Sequence, residues 1–412
     1  MSFLSTFKRM TKNNLARGRR FLRFNRSDIS NSYLIKFTNL ESEKYDHFFG
    51  YYDISPFNSK NNFVLSCRRL RDSNSEEIEI GFFDLSEEKP KFNYLGKTET
   101  WCWQMGCRLG WVDEKNIVYN KMVDGKYGYV IQDIISKKIT YKNSQPIYSA
   151  NQDFTKALSI DFSRLDRLRP GYGYSNLEDN TMEDLSPSKS GISLFQPLPP
   201  FRSKFLISIS EASNFRKQSY NSDSEHYINH LSFSPDSKNI LFFHIWTTKN
   251  PPFKFVRVLN YNIISKSLSL VVNQDYVPSH FCWKNNKELL FTLNNGPLGS
   301  GYYTVTTDGE ISPVSKFQKM LDGHPTYIKK EKLIITDTTP DKYNERNLYI
   351  LDVENYKKRK LISLYNNNVL WDLDKRCDLH PRVDPINNRI CIDSSHKGYR
   401  TMLVIDYEER YE

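Results

Sequence analysis

The sequence predicts an all-β chain built as a seven-bladed β-propeller, and three observations carry that prediction. Short runs with β character follow one another after residue 30, among them NFVLSCR, IEIGFFDL, NIVYNK, YGYVIQDI, ALSIDFS, NILFFHIW, ELLFTLN, LIITDT, LYILDV, RICIDSS and TMLVIDY. They are rich in aromatic and β-branched residues, and polar turns such as SPDSKN, VDEKN, KNNKE and DPINNR separate them. Aligned on those turns, one unit recurs: a polar residue, a strand, a turn, a strand, a loop and a strand. Its starts fall near His47, Gln104, Tyr148, His230, His280, His324 and His380, mostly 44 to 57 residues apart. A period of about 40–50 residues with several strands per unit is the mark of a propeller.

The bulk numbers agree. The 412 residues are 38% hydrophobic and 14% aromatic, with 26 Tyr and 26 Phe, enough for a core biased toward strands. No stretch approaches the roughly 18 consecutive apolar residues of a membrane helix. The six cysteines include no C-x-x-C pair, which in a chain this long reads as reduced thiols and a cytoplasmic protein.

Residues 1–30 come first as a tail. Residues 1–28 hold eight Lys/Arg against one Asp, so +7 of the formal +10 sits there. The remaining body is nearly balanced, which excludes nucleic acid as its expected partner. Basic residues alternate with Phe3, Leu4, Phe7, Met10, Leu15, Phe21, Leu22 and Phe24. The tail reads either as an amphipathic helix on an anionic membrane or as a disordered solubilising segment. The expected location is cytoplasmic, with peripheral contact at the inner membrane through residues 1–28. Residues 31–412 form the propeller. YLIKFTN, residues 33–39, precedes the first repeat, and the last repeat stops one strand short. The early strand is expected to fill that outer position and leave no open edge. An inserted loop is expected near 165–203, where the spacing from Tyr148 to His230 stretches.

Antiparallel connectivity puts the starts of first strands and the ends of second strands on one face of each blade. The starts carry His47, Gln104, His230, His280, His324 and His380. The ends carry Arg68, Arg69, Asn120, Asp161, Arg164, His244, Asp337 and His396. Seven of the eight histidines fall at these positions, with His226 four residues from one of them. The expectation is a shared polar funnel, with Tyr51, Tyr52, Tyr172 and Tyr174 nearby. A turn-bracing histidine is the plain alternative at each position.

Three or four imidazoles suit a divalent metal such as Mn²⁺ or Zn²⁺. His280, His324 and His380 are the candidate ligands, with Gln104 or Cys377 as a fourth. A metal-free grip of anionic oxygens by His and Arg is the alternative. The phrase D-x-H-P occurs twice, in MLDGHPTY (320–327) and RCDLHPRV (376–383). SIDFSRLDRLRPGYGY, residues 159–174, sets Arg164, Arg167 and Arg169 beside Tyr172 and Tyr174. Arg binds carboxylates in bidentate fashion, and Tyr stacks on sugars or supplies a proton. WCWQMGCRLGW, residues 101–111, offers Trp101 or Trp103 as a sugar platform, whereas Trp111 reads as core. No Gly-rich phosphate loop is present, so no nucleotide cofactor is expected.

From about residue 45 onward the sequence resembles the propeller proteins related to oligogalacturonate lyase and ulvan lyase. The phrases are HFFGYYDISPF, WCWQMGCRLGW, SIDFSRLDRLRPGYGY, HYINHLSFSPDSKNILFFHIW, PSHFCW, DGHPTYIKKEKLIITDTTPD and RCDLHPRVDPINNRICIDSSHKGYR. The group includes uncharacterised members of bacterial surface-polysaccharide loci labelled glycosyl transferases. The resemblance implies β-elimination on uronic-acid sugars, an acidic oligo- or polysaccharide as partner, and a metal or basic groups neutralising the carboxylate. It implies His280, His324 and His380 for that charge, Arg164 and Arg382 as clamps, and His230, His47 or Tyr172 as acid and base. Arg68, Arg167, Arg169, Tyr51, Trp103, His244 and His396 are the further substrate-binding candidates. The sixth repeat's HPTYIKKEK and the seventh's RVDP depart from the usual turn and core residues. Two alternatives stand beside the lyase: a glycosyltransferase or accessory protein of capsule or O-antigen biosynthesis at the membrane face, and a non-catalytic glycan-binding or scaffold propeller.

Overall fold

The computed structural model describes residues 33–409, except 74, 217–222, 250–251, 329–331, 368–374 and 385. The basic tail, residues 1–30, lies outside the described residues. Seven antiparallel sheets follow one another along the chain. They are the seven blades of a β-propeller, all-β apart from two short α-helices and one 3₁₀ turn among the described residues.

The chain divides into two compact units. The first comprises residues 1–97 and 320–412 and carries three sheets. One is closed by the chain's early strand. β1 (Tyr33–Leu40) pairs antiparallel with β29 (Thr401–Glu409), from Tyr33 opposite Glu409 to Leu40 opposite Met402. β28 (Arg389–Ser394) and β27 (Arg382–Asp384) complete that sheet. β2 (Tyr45–Phe48), β3 (Phe57–Asn58), β4 (Phe63–Leu70), β5 (Ile78–Asp84) and β6 (Phe92–Thr98) make the second. β23 (Thr326–Ile328), β24 (Leu333–Thr336), β25 (Glu345–Asp352) and β26 (Lys357–Tyr365) make the third.

The second unit, residues 98–319, carries four sheets. β7 (Gly110–Trp111) to β10 (Ile139–Asn143) and β11 (Ser149–Ala150) to β14 (Ser203–Ser208) are the first two. β15 (Glu225–Phe233) to β18 (Ser267–Val272) and β19 (Pro278–Trp283) to β22 (Ile311–Gln318) are the others. Helix α1 (Phe162–Leu168) follows β12 (Ala157–Ser159), and α2 (Ile209–Asn214) follows β14.

Burial explains the sequence pattern of the strands. β16 (Asn239–Thr247) is buried at every position but its ends, so NILFFHIWT shows no polar alternation. The outermost β10 is exposed at four of five positions, which is why ITYKN reads as weakly apolar. In the first unit, Ile335, Ile350, Ile390, Ile392 and Ile405 form one core cluster between two blades. In the second, Val118, Tyr129, Ile131, Ala157 and Phe195 form another. Each such aliphatic side chain contributes about 1.5–3 kcal/mol on burial.

The expected loop at 165–203 is differently built. β13 (Gly191–Phe195) is a blade strand within that range, so the insertion is residues 160–190. The strand expected through ALSIDFS ends at Ser159, because Asp161 caps α1 by accepting the Arg164 backbone N–H at 3.0 Å. Among the described residues, no helix is long and apolar enough to cross a membrane.

Candidate functional site

The two D-x-H-P phrases meet in the first unit, and the residue that joins them is Asp337. It follows β24 and is fully buried. Its Oδ1 accepts the His324 backbone N–H at 2.8 Å and lies 2.8 Å from the His324 ring Nδ1. Its Oδ2 accepts the His380 backbone N–H at 3.2 Å. The glycine of DGHP is needed for this approach, since a Cβ on Gly323 would lie 1.9 Å from the Asp337 carbonyl oxygen.

The hydrogen bonds fix how each imidazole presents itself. His324 gives its Nδ1–H to Asp337, a carboxylate that can only accept, so Nε2 is the ring nitrogen outside that bond. His380 gives its Nδ1–H to the Gly50 carbonyl at 2.9 Å, with the same result. The His380 Nε2 is buried with no hydrogen-bond partner. His380 itself sits at φ +45°, an uncommon conformation for a residue with a side chain. The two rings stand edge to face, with centroids 4.4 Å apart.

Asp378, two residues before His380, completes the group. Donor atoms of His324, Asp378 and His380 all lie within 4.8 Å of one another, and all three residues are buried. Asp378 Oδ2 is 3.9 Å from His380 Nε2. Arg346 Nη2 reaches Asp378 Oδ1 at 2.7 Å, and Arg376 Nε reaches Oδ2 at 2.9 Å. Burial alone would push the Asp378 carboxyl up, but Arg346 and Arg376 hold it well below the usual carboxylate range. Burial, followed by the neighbouring His324, lowers His380 well below the ordinary imidazole value and keeps it neutral. Tyr51 and Tyr52 flank the pair, with ring centroids 4.8 Å from His380 and 5.0 Å from His324 respectively.

Other expected site residues of this unit belong to its framework. Arg382 is fully buried on Asp393, Nη2 to Oδ1 at 2.7 Å, so it anchors its blade rather than facing a substrate. His47 is packed against the rings of Phe83 and Phe92, centroids 5.3 and 5.6 Å away. Burial, with Arg68 and Arg71 nearby, pushes His47 down to about 3, so it is a neutral core imidazole and not an acid or base. Arg68 lies between the Tyr45 and Phe92 rings and pairs with Glu79 at 2.6 Å. His396 is half-buried at the end of β28, its Nδ1 2.9 Å from the Ser394 hydroxyl. Burial pushes the Cys377 thiol up to about 12, so it is protonated and a poor ligand.

The second unit carries a different grouping. His230 and His280 both sit where the strand register shifts, in β15 and β19. Such bulges re-aim a side chain. His230 is at φ +52°, and its backbone N–H donates to the Tyr148 hydroxyl at 2.8 Å. Its ring is edge-on to Tyr172 at 5.8 Å and to His280 at 6.3 Å. The Arg169 guanidinium lies 5.0 Å from the Tyr172 ring centre. Gln104 is buried in this unit, its backbone N–H donating to the Gly171 carbonyl at 3.1 Å. His324 and His380 converge in the first unit with Asp378, whereas His280 and Gln104 belong to the second.

Arg164 is not a clamp. Its guanidinium donates to the carbonyls of His226, Thr181, Asp184 and Leu185 at 2.9–3.2 Å, bracing the 160–190 insertion. Arg167 pairs with Asp179 and Glu225. The GYGY run is packing: a Cβ on Gly173 would lie 2.2 Å from the Asp166 backbone nitrogen, and Tyr174 stacks on Phe162 at 4.2 Å. His244 is buried in a relay, Nε2 3.0 Å from His226 Nδ1 and Nδ1 accepting from Arg257 Nε at 3.1 Å. Trp103 is half-buried and edge-on to Trp101 at 4.9 Å. Sequence reasoning placed Asp337 at the end of a second strand but gave it no role, and it did not nominate Asp378 or Arg376. The repeated Asp of D-x-H-P was the available signal for Asp378.

No family model matches the chain, and no curated protein matches it. Solved structures do. Oligogalacturonate lyase from Vibrio parahaemolyticus superposes with a TM-score of 0.58 at 13% identity, covering 93% of this chain and 100% of that one. The tricorn protease gives a TM-score of 0.52 at 9% identity, covering 92% of this chain and 35% of that one. These likenesses show the propeller fold.

Proposed function

We propose that this chain is a carbohydrate-active propeller that binds a uronate-containing oligo- or polysaccharide and cleaves it by β-elimination, with the carboxylate recognised at the His324–Asp378–His380 group. The observation that carries the reading is a buried set of donor atoms from His324, Asp378 and His380 within 4.8 Å of one another, in which the His380 Nε2 has no hydrogen-bond partner, a set suited to hold a cation and through it a carboxylate-bearing ligand. The likeness of fold to a structure described as an oligogalacturonate lyase favours a uronate as that ligand.

The group also fits a divalent cation. An orphaned, buried imidazole nitrogen, a second imidazole and a carboxylate are a donor set suited to Mn²⁺ or Zn²⁺. His324, His380 and Asp378 would hold it, and when bound it supplies Lewis-acid neutralisation of the uronate carboxylate. The chain's own residues do the rest. Asp337 and Gly50 keep the two imidazoles oriented. Tyr51 and Tyr52 line the group with hydroxyl-bearing rings able to carry a proton. The proton α to the carboxylate leaves to a base, the C–O bond at the β carbon breaks, and the leaving oxygen takes a proton. The product is an unsaturated uronate and a new chain end.

The test is incubation with oligogalacturonate and with glucuronate-containing polysaccharides, following the ultraviolet band of the unsaturated product. A band that His380→Ala abolishes supports the reading. No band from any uronate overturns it.

A further inference from the structure

Asp378 shares its two oxygens unequally. Oδ1 goes to Arg346, whose side chain is 6% exposed and is held a second time by Asn366 at 3.2 Å. Oδ2 goes to Arg376, whose side chain is 27% exposed. Oδ2 is also the oxygen 3.9 Å from His380 Nε2. A cation bound by these residues and the Arg376 guanidinium therefore compete for one atom. Zn²⁺ is bound by carboxylate oxygen at about 2.0–2.2 Å. At such a separation the cation's charge repels a guanidinium held to the same oxygen. Arg346 is buried whereas the Arg376 side chain reaches solvent, so Arg376 is the group that yields. Its main chain stays fixed, because Arg400 Nη2 donates to the Lys375 and Arg376 carbonyls at 2.9 and 2.8 Å. Only the side chain swings.

We infer that Arg376 is a cation-released clamp: cation binding at His324–Asp378–His380 displaces its guanidinium from Asp378 and presents it to the carboxylate of a uronate. The inference rests on the proposed cation and uronate reading and adds an order to it, with the cation preparing the anion site. The charges agree. Asp337 and Asp378 balance Arg346 and Arg376, so an added divalent cation leaves a net positive centre suited to a carboxylate. Guanidinium and cation together then grip it from two directions. Such coupling is reciprocal: the uronate must tighten the cation by the same factor.

The experiment is calorimetric titration of the full chain with Mn²⁺, with and without saturating trigalacturonate. For the natural chain, the trimer is expected to raise Mn²⁺ affinity about tenfold, within the usual range of coupling. In Arg376→Gln, Mn²⁺ alone is expected to bind several-fold tighter than to the natural chain, because its competitor is gone, and the trimer's gain is expected to vanish. Arg376→Lys, with charge but no fork, should keep part of the gain. Undiminished coupling in Arg376→Gln, or weaker binding of Mn²⁺ alone, overturns the clamp. Binding of both ligands to the natural chain without mutual effect overturns the clamp alone. If the natural chain binds no Mn²⁺, the cation reading falls and the clamp with it.

Discussion

Replacing Asp337 by Asn tests whether one carboxylate organises the histidine pair. Asp337 is fully buried and accepts two backbone N–H groups and the His324 ring N–H. An amide of the same shape keeps one accepting oxygen and turns an NH₂ toward donors. One or two buried donors then lose their acceptor, each at about 1–3 kcal/mol, so a loss of about 2–4 kcal/mol is expected. Against a typical total of about 5–15 kcal/mol, the variant still folds. The His324 ring is also released from its tautomer, because an NH₂ cannot accept Nδ1–H. Loss of such an orienting partner lowers metal affinity about 10–100-fold. Urea unfolding reads the first quantity and Mn²⁺ titration the second. Unchanged Mn²⁺ affinity in a folded Asp337→Asn variant would refute the role assigned to this carboxylate.

Three further outcomes follow from the framework. His47 has a folded-state value of about 3 against an ordinary 6.5, so the unfolded chain takes up its proton first. The stabilisation is complete above about pH 6.5 and declines by about 1.4 kcal/mol per pH unit as pH falls toward 3. The stability difference between the natural chain and His47→Leu should thus shift by about 2 kcal/mol in the variant's favour between pH 7 and pH 5 in urea titrations. Arg164→Met leaves four carbonyls without their buried donor and removes one of the two guanidinium groups beside Asp179, an expected loss of about 3–5 kcal/mol with new protease cleavage within 160–190. Gly323→Ala forces a Cβ into the Asp337 carbonyl oxygen, and a loss of about 4 kcal/mol or more is expected from denaturation, with Mn²⁺ binding lost alongside.

Period and turn chemistry made the blades legible, since both are local. The closing strand was legible too, because a three-strand final repeat and a spare early strand can only satisfy each other. The site was less so. D-x-H-P marked His324 and His380 and placed Asp378 beside them, yet nothing local distinguishes these histidines from His47, whose Nε2 is also buried without a hydrogen-bond partner but which packs against two phenylalanine rings. Arginine was misjudged for the same reason. Arg164 and Arg382 sit in unusual phrases, but what decides their role is burial, against carbonyls as far along the chain as His226 for Arg164 and against Asp393 of the adjacent strand for Arg382. Arg376, nominated by no pattern, is the guanidinium beside Asp378 that retains substantial exposure.

The pairing of β1 with β29 has a consequence for biosynthesis. Residues 33–40 pair with residues 402–409, so everything between them in the chain is made before the two strands can meet. Until then, one edge of the early segment waits beside the ribosome, a hazard for self-association. Completion of this blade thus waits until the strands of all the other blades have been made.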